Sequence, residues 1–124
     1  MDGIFYVFNP NLKRLQPMFQ LKKTNIVWWP VTINEPVDGG KVTEFPCQIQ
    51  FELLDQKEFD ELSLKGDIVL LSSVVKGWQE ILGANKKDLP FTKKNIDAFL
   101  QVPYVRASLF NAYLGAVSGA PVKN

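Results

Sequence analysis

The chain has 124 residues, 46% of them hydrophobic and 22% charged, with fourteen Lys and Arg against thirteen Asp and Glu. That balance fits one ordinary globular domain and excludes a disordered chain. With no histidine and one cysteine, His-based triads, Cys/His zinc sites and an intrachain disulfide are all excluded.

The single thiol suits a reducing cytosol. Basic side chains are scattered, with Lys13, Arg14, Lys22 and Lys23 early and Lys86, Lys87, Lys93 and Lys94 late. A nucleic-acid binder needs a concentrated basic face to displace counterions, so a solvated mixed-charge surface is expected and no nucleic-acid partner. No apolar run is long enough to span a bilayer, so no membrane association is expected. The opening Met1-Asp2-Gly3 lacks the basic region and cleavage site of a secretory signal.

Residues 1–24 read as an arm, irregular or lightly structured. Ile4 to Phe8 suits a short strand, but Asn9-Pro10-Asn11 interrupts it, and Pro17 breaks the loose apolar spacing from Leu12 to Leu21. Such an arm either lies on the core or reaches a neighbouring subunit.

Residues 25–54 read as an antiparallel β-hairpin. Val27, Trp29, Val31 and Ile33 alternate onto one face, as do Thr43, Phe45, Cys47, Ile49, Phe51 and Leu53. The segment Asn34 to Gly40 is expected to be a longish loop ending in residues that tolerate positive φ. Pro30 and Pro46 each lack a ladder donor, which places them at edges or bulges. A hairpin alone is marginal in water, so helices, a third strand or another subunit must cover its apolar face.

Residues 55–119 read as about four short-to-medium helices, with 120–124 a tail. Asp55 with Glu58 imitates a capping box for a helix to about Ser63. A second helix is expected from Asp67, its N-cap, to Gly83, with Leu71, Val75, Trp78 and Leu82 on one face and Val74 and Ile81 beside it. Thr92 caps a third, lined by Ile96, Phe99 and Leu100. Pro103 opens a fourth, with a stripe of Val105, Leu109, Ala112, Tyr113 and Ala116 widened by Phe110, Leu114 and Val117. Strands followed by helices, without βαβ alternation, define a single α+β domain over residues 1–124.

Catalytic chemistry finds no foothold in this pattern. Cys47 lies on the apolar face of a strand, where a buried inert thiol is expected. The acidic group Asp55, Glu58, Asp60 and Glu61 fits a wet helix face, no calcium loop is present, and the glycine-rich spots lack the lysine of a phosphate loop. No catalytic residue, cofactor or metal is therefore expected, and the chain reads as a binding protein. Four residues are candidates for partner binding: Trp28 and Pro30 on the edge hairpin, and Phe110 and Leu114 on the last helix. Trp28 faces away from the core by alternation, where interface contact, partial burial and base stacking are all open to it.

The order Gly77-Trp78, Leu89-Pro90-Phe91-Thr92, Asn95-Ile96, Phe99-Leu100, Pro103, Val105, Ala107, Leu109, Ala112-Tyr113 and Lys123-Asn124 resembles the tail assembly chaperones of long-tailed, lambda-like bacteriophages and prophages. The resemblance covers about residues 50 to 124 and rests on order and spacing. It implies a late protein of the host cytoplasm that binds the phage tape measure protein, keeps it soluble, recruits tail tube subunits, and is absent from the mature virion. It also implies self-association and a programmed frameshift, with this chain corresponding to the shorter product. A structural phage component, such as a head–tail joining or tail-terminator subunit, is the competing expectation.

Overall fold

The computed structural model describes residues 3–122. Within them the chain forms an α+β fold of two antiparallel sheets and four helices.

The first sheet realises the short strand expected near Ile4–Phe8 and gives the rest of the arm more order than expected. Strand β1 (Phe5–Asn9) pairs with β2 (Arg14–Met18), with Phe5 opposite Met18 and Asn9 opposite Arg14. The Asn9-Pro10-Asn11 break is the hairpin's own turn: Asn9 Oδ1 accepts from the backbone N–H of Asn11 at 2.9 Å, and Lys13 takes φ +51°. Pro17 sits within β2 opposite Tyr6. In a two-stranded ribbon every strand is an edge, so a missing donor is tolerated there.

The second sheet has the order β3–β4–β5. Strands β3 (Ile26–Val37) and β4 (Lys41–Glu52) form the expected hairpin, with Val31 opposite Cys47 and Ile33 opposite Phe45. Its turn is shorter than the expected Asn34–Gly40 loop. Pairing runs on through Val37 and Lys41, leaving only residues 38–40, where Gly39 and Gly40 take φ +82° and +73°. The polar composition of residues 34–36 disguises a strand whose outer end has little core to face.

The expected helix from Asp67 to Gly83 does not form as one element. Helix α2 (Asp67–Val74) stops at Val74, and the chain turns directly into β5 (Val75–Gln79), which sets Trp78 opposite Ile49 and Gly77 opposite Gln50. Consecutive β-branched valines and Gly77 weaken a helix there, while the hairpin gains the third strand that it needs. Gly66, at φ +104°, is the N-cap rather than Asp67, whose carboxylate lies in the first turn where the helix dipole favours it.

Three other helices follow their local signals. In α1 (Gln56–Ser63) the Asp55 carboxylate accepts from Glu58 N–H at 2.9 Å. In α3 (Lys93–Leu100) Thr92 Oγ1 accepts from Asn95 N–H at 3.1 Å. Helix α4 (Pro103–Val117) begins at Pro103 and closes at Gly119, φ +73°.

The core lies between the sheet and the helices. Val31, Ile33, Cys47, Ile49, Phe51, Val75 and Trp78 meet Leu70, Leu71 and Val74 of α2, Ile96 and Leu100 of α3, and Val105, Leu109, Tyr113 and Ala116 of α4. Trp78 anchors the irregular segment after β5. Its Nε1–H donates to Leu89 O at 2.7 Å, and its ring meets Phe91 and Phe99 at centroid distances of 5.0 and 4.9 Å.

Tyr113 closes the other end of the core. Its ring packs edge-on to Phe51 at 5.2 Å and parallel to Phe59 at 6.3 Å. Its hydroxyl donates to Glu52 O at 2.8 Å and accepts from Leu54 N–H at 3.0 Å. Tyr113→Phe keeps the ring and strands both backbone groups, so unfolding in urea should show a loss of about 1–3 kcal/mol with an unchanged m-value.

Candidate partner-binding surfaces

Surface chemistry follows from which strand edges remain open. Asn34 pairs with Glu44, yet its N–H donates the other way, to Ser108 Oγ at 3.3 Å on α4. Alternate positions of β3 therefore turn their backbone groups away from β4. Those positions include Pro30 and Pro36, which have no N–H to offer, so the outer edge of β3 is blunted by two prolines and a serine hydroxyl. The same alternation turns Val42, Glu44 and Pro46 of β4 toward the side that β5 occupies further along, and of these Pro46 has no N–H to offer. However, β5 pairs only from Gln48 to Phe51, and among the described residues that outer stretch of β4 has no strand beside it.

Three grooves border these elements. The first, about 490 Å³, runs between β3 and α4, with Trp29, Pro30 and Tyr104 at its rim and the small side chains of Ala107, Ala112 and Gly115 along its wall. A Cβ placed on Gly115 would meet nothing within 4 Å. The second, about 340 Å³, lies beside the open stretch of β4 and is lined by Ile33, Phe45, Ile81, Leu82 and Phe99 with Glu35 and Glu80. The third, about 230 Å³, is a small cleft between α1 and α4.

The four residues singled out in the sequence are not gathered into one site. Trp28 faces outward as expected, 45% exposed. Its indole crosses β4 to Gly77, where an added Cβ would stand 3.5 Å from the ring and 3.2 Å from Gln50 Oε1. Pro30 borders the β3–α4 groove, whereas Leu114 lines the α1–α4 cleft and Phe110 is partly buried against the core.

The arm is the surface that sequence reasoning undervalued. Phe5, Tyr6, Phe8, Leu15, Phe19 and Leu21 are all exposed, the last two at 86%. Reading Ile4–Phe8 together with Leu12–Met18 as a hairpin around Asn-Pro-Asn would have revealed it.

Cys47 is buried at 2% exposure. Burial, reinforced by the negative charge of Glu80, pushes its thiol up to about 11 from an ordinary 9.0. Burial also raises the Tyr113 hydroxyl, with Glu52 and Glu58 adding to the rise and the Leu54 N–H opposing it. The acidic residues of α1 stay at the surface, where Asp60 accepts from Gln56 Nε2 at 2.8 Å. Among the described residues, no three Cys, Asp or Glu side chains converge to hold a metal ion, and no helix is long and apolar enough to cross a membrane.

Comparison with protein-family models, with curated proteins and with solved structures finds no match.

The raised thiol sets an alkaline limit. Below pH 9 it is neutral whether the chain is folded or unfolded. Above pH 9 only the unfolded chain ionises it, so stability falls as pH rises toward 11. The loss between pH 9 and 10 should be about 1 kcal/mol in urea titrations, and Cys47→Ala should remove it. The contribution of the raised tyrosine, which begins near pH 10, should remain.

Proposed function

We propose that this chain is a phage tail assembly chaperone that binds the tape measure protein during tail-tube assembly, acting by binding rather than catalysis. It works in the host cytoplasm, recruits tail tube subunits, and leaves before the virion is complete. The observation that carries the reading is the ordered run from Gly77-Trp78 to Ala112-Tyr113. Its members from Trp78 to Phe99 are also neighbours in space: Trp78 meets Phe91, Phe99 and Leu89 O, Thr92 caps α3, and Asn95 Nδ2 donates to Pro90 O at 2.8 Å. The Lys123-Asn124 end of the motif lies outside the described residues.

A tape measure protein is a long helical chain with much apolar surface. Its chaperone needs a groove that admits a helix without holding it permanently. The β3–α4 groove suits that task, because Ala107, Ala112 and Gly115 let a helix approach while Trp29 and Tyr104 supply aromatic walls. A glycine in mid-helix costs about 0.5–1 kcal/mol relative to alanine. Its open surroundings at Gly115 fit a position kept small for an incoming side chain.

Affinity purification of the chain from infected cells should recover a long coiled-coil protein encoded just downstream, and purified virions should lack the chain by mass spectrometry. Gly115→Leu fills the groove without touching the core. It should weaken that capture by about tenfold or more while the thermal melt stays unchanged or rises. Recovery of the chain from virions in stoichiometric amounts would instead indicate a head–tail joining or tail-terminator subunit.

A further inference from the structure

The chain carries two unmatched surfaces that fit one another. One is the N-terminal hairpin, a two-stranded ribbon of a kind that is marginal in water by itself. Its β1 places Phe5 and Val7 on one face and Tyr6 and Phe8 on the other, all exposed. One edge of β1 pairs with β2, and the other edge contains no proline from Phe5 to Asn9. The other surface is the outer stretch of β4, where among the described residues Val42 and Glu44 have no strand on one side and an apolar groove lies alongside. Phe45 and Leu82 on that groove are 48% and 60% exposed.

Charge favours the match. Residues 3–25 carry Lys13, Arg14, Lys22 and Lys23 and no acidic side chain, while residues 26–122 hold nine basic against twelve acidic ones. The groove itself is bordered by Glu35 and Glu80 and by no basic residue. The outer edge of β3 fits less well, because Pro30 and Pro36 lack donors and Ser108 takes the Asn34 N–H, whereas the outer β4 stretch loses only the Pro46 donor.

Position favours a second molecule. The arm joins the body where Asn25 O accepts from Leu53 N–H, at the far end of β4 from Val42. Strand rise puts those two ends roughly 30 Å or more apart. Residues 19–25 carry no helix or strand, and Phe19 to Lys23 border a cleft with Leu53, Leu54, Asp55 and Val117 at that same end of the body. The arm and the open edge therefore stand at opposite ends of one molecule, as a head-to-tail contact requires.

We infer that the N-terminal hairpin of one copy adds its β1 edge to the Val42–Pro46 edge of β4 in a second copy, extending the sheet and seating β1 aromatics in the groove bordered by Glu35 and Glu80. The contact is β-strand addition between identical chains. It does not rest on the tape measure reading, since it needs only the purified chain.

The test uses three full-length proteins in sedimentation-velocity experiments: wild type, an arm variant (Phe5→Asp with Phe8→Asp) and a groove variant (Phe45→Asp with Leu82→Asp). All four positions are exposed, and a thermal melt of each variant checks that it folds. Wild type should associate with rising concentration, and each variant alone should associate about tenfold or more weakly. A mixture of the two variants should recover one-to-one pairs, because the arm of one chain and the groove of the other remain intact. A wild type that stays monomeric to roughly 100 µM overturns the proposal. So does either variant that associates like wild type, or a mixture that forms no pairs.

Discussion

The end of the central strand is the joint on which the architecture turns. As β4 finishes at Glu52 and the chain moves toward α1, it leaves a carbonyl and an N–H that no neighbouring strand takes up. The Tyr113 hydroxyl receives both functions at once, donating to Glu52 and accepting from Leu54. Helix α4 is thereby fixed against the sheet at a point 59 residues away in the chain. The ring, fully buried between Phe51 and Phe59, makes the same joint an apolar one. A phenylalanine could fill that space, but only a tyrosine also satisfies the backbone. With this joint in place, the stripe from Val105 to Ala116 packs on the sheet, and Ala107, Ala112 and Gly115 form the wall of the β3–α4 groove.

Trp78 performs the matching service at the opposite flank. By holding Leu89 O and packing on Phe91 and Phe99, it ties the irregular stretch after β5 to α3. Gly77 beside it leaves space on the outer face that the Trp28 indole overlies. One dipeptide thus seats an aromatic on each side of the sheet, and the burial of Trp78 depends on its being in a strand rather than a helix.

Much of this fold is legible locally. The two-residue period of β3 and β4, the caps at Asp55 and Thr92 and the proline start at Pro103 are all short-range signals, and each maps onto its element. The outward face of Trp28 follows from the same period. What escaped has a different origin. Residues 70 to 82 carry apolar side chains at spacings that serve either a helix or a strand. The decision falls to β4, some 25 residues earlier, whose open edge draws Val75–Gln79 into pairing. Gly77 inside the expected helix was the available warning, since glycine there costs about 1 kcal/mol. The β1–β2 hairpin was hidden by its prolines. The grooves could not be read at all, because the second one assembles side chains from Ile33 to Val105 that no local pattern connects.

A protein with so much exposed aromatic surface faces an aggregation problem, and its edges show how that problem is contained. On β3 the prolines leave carbonyls without the alternating donors that a pairing strand would need, so the groove beside it can accept a helix's side chains but resists a continuous ladder. On outer β4 Val42 and Glu44 keep their donors while Pro46 has none, and acidic side chains border the groove as well. That border disfavours acidic strands and favours a basic arm, which restricts what can pair there. The two surfaces therefore differ in kind: beside β3 backbone pairing is suppressed, and beside outer β4 it stays open next to an acidic border. Tyr104 lines both grooves and donates to Glu35, so the two proposed contacts meet at that one side chain.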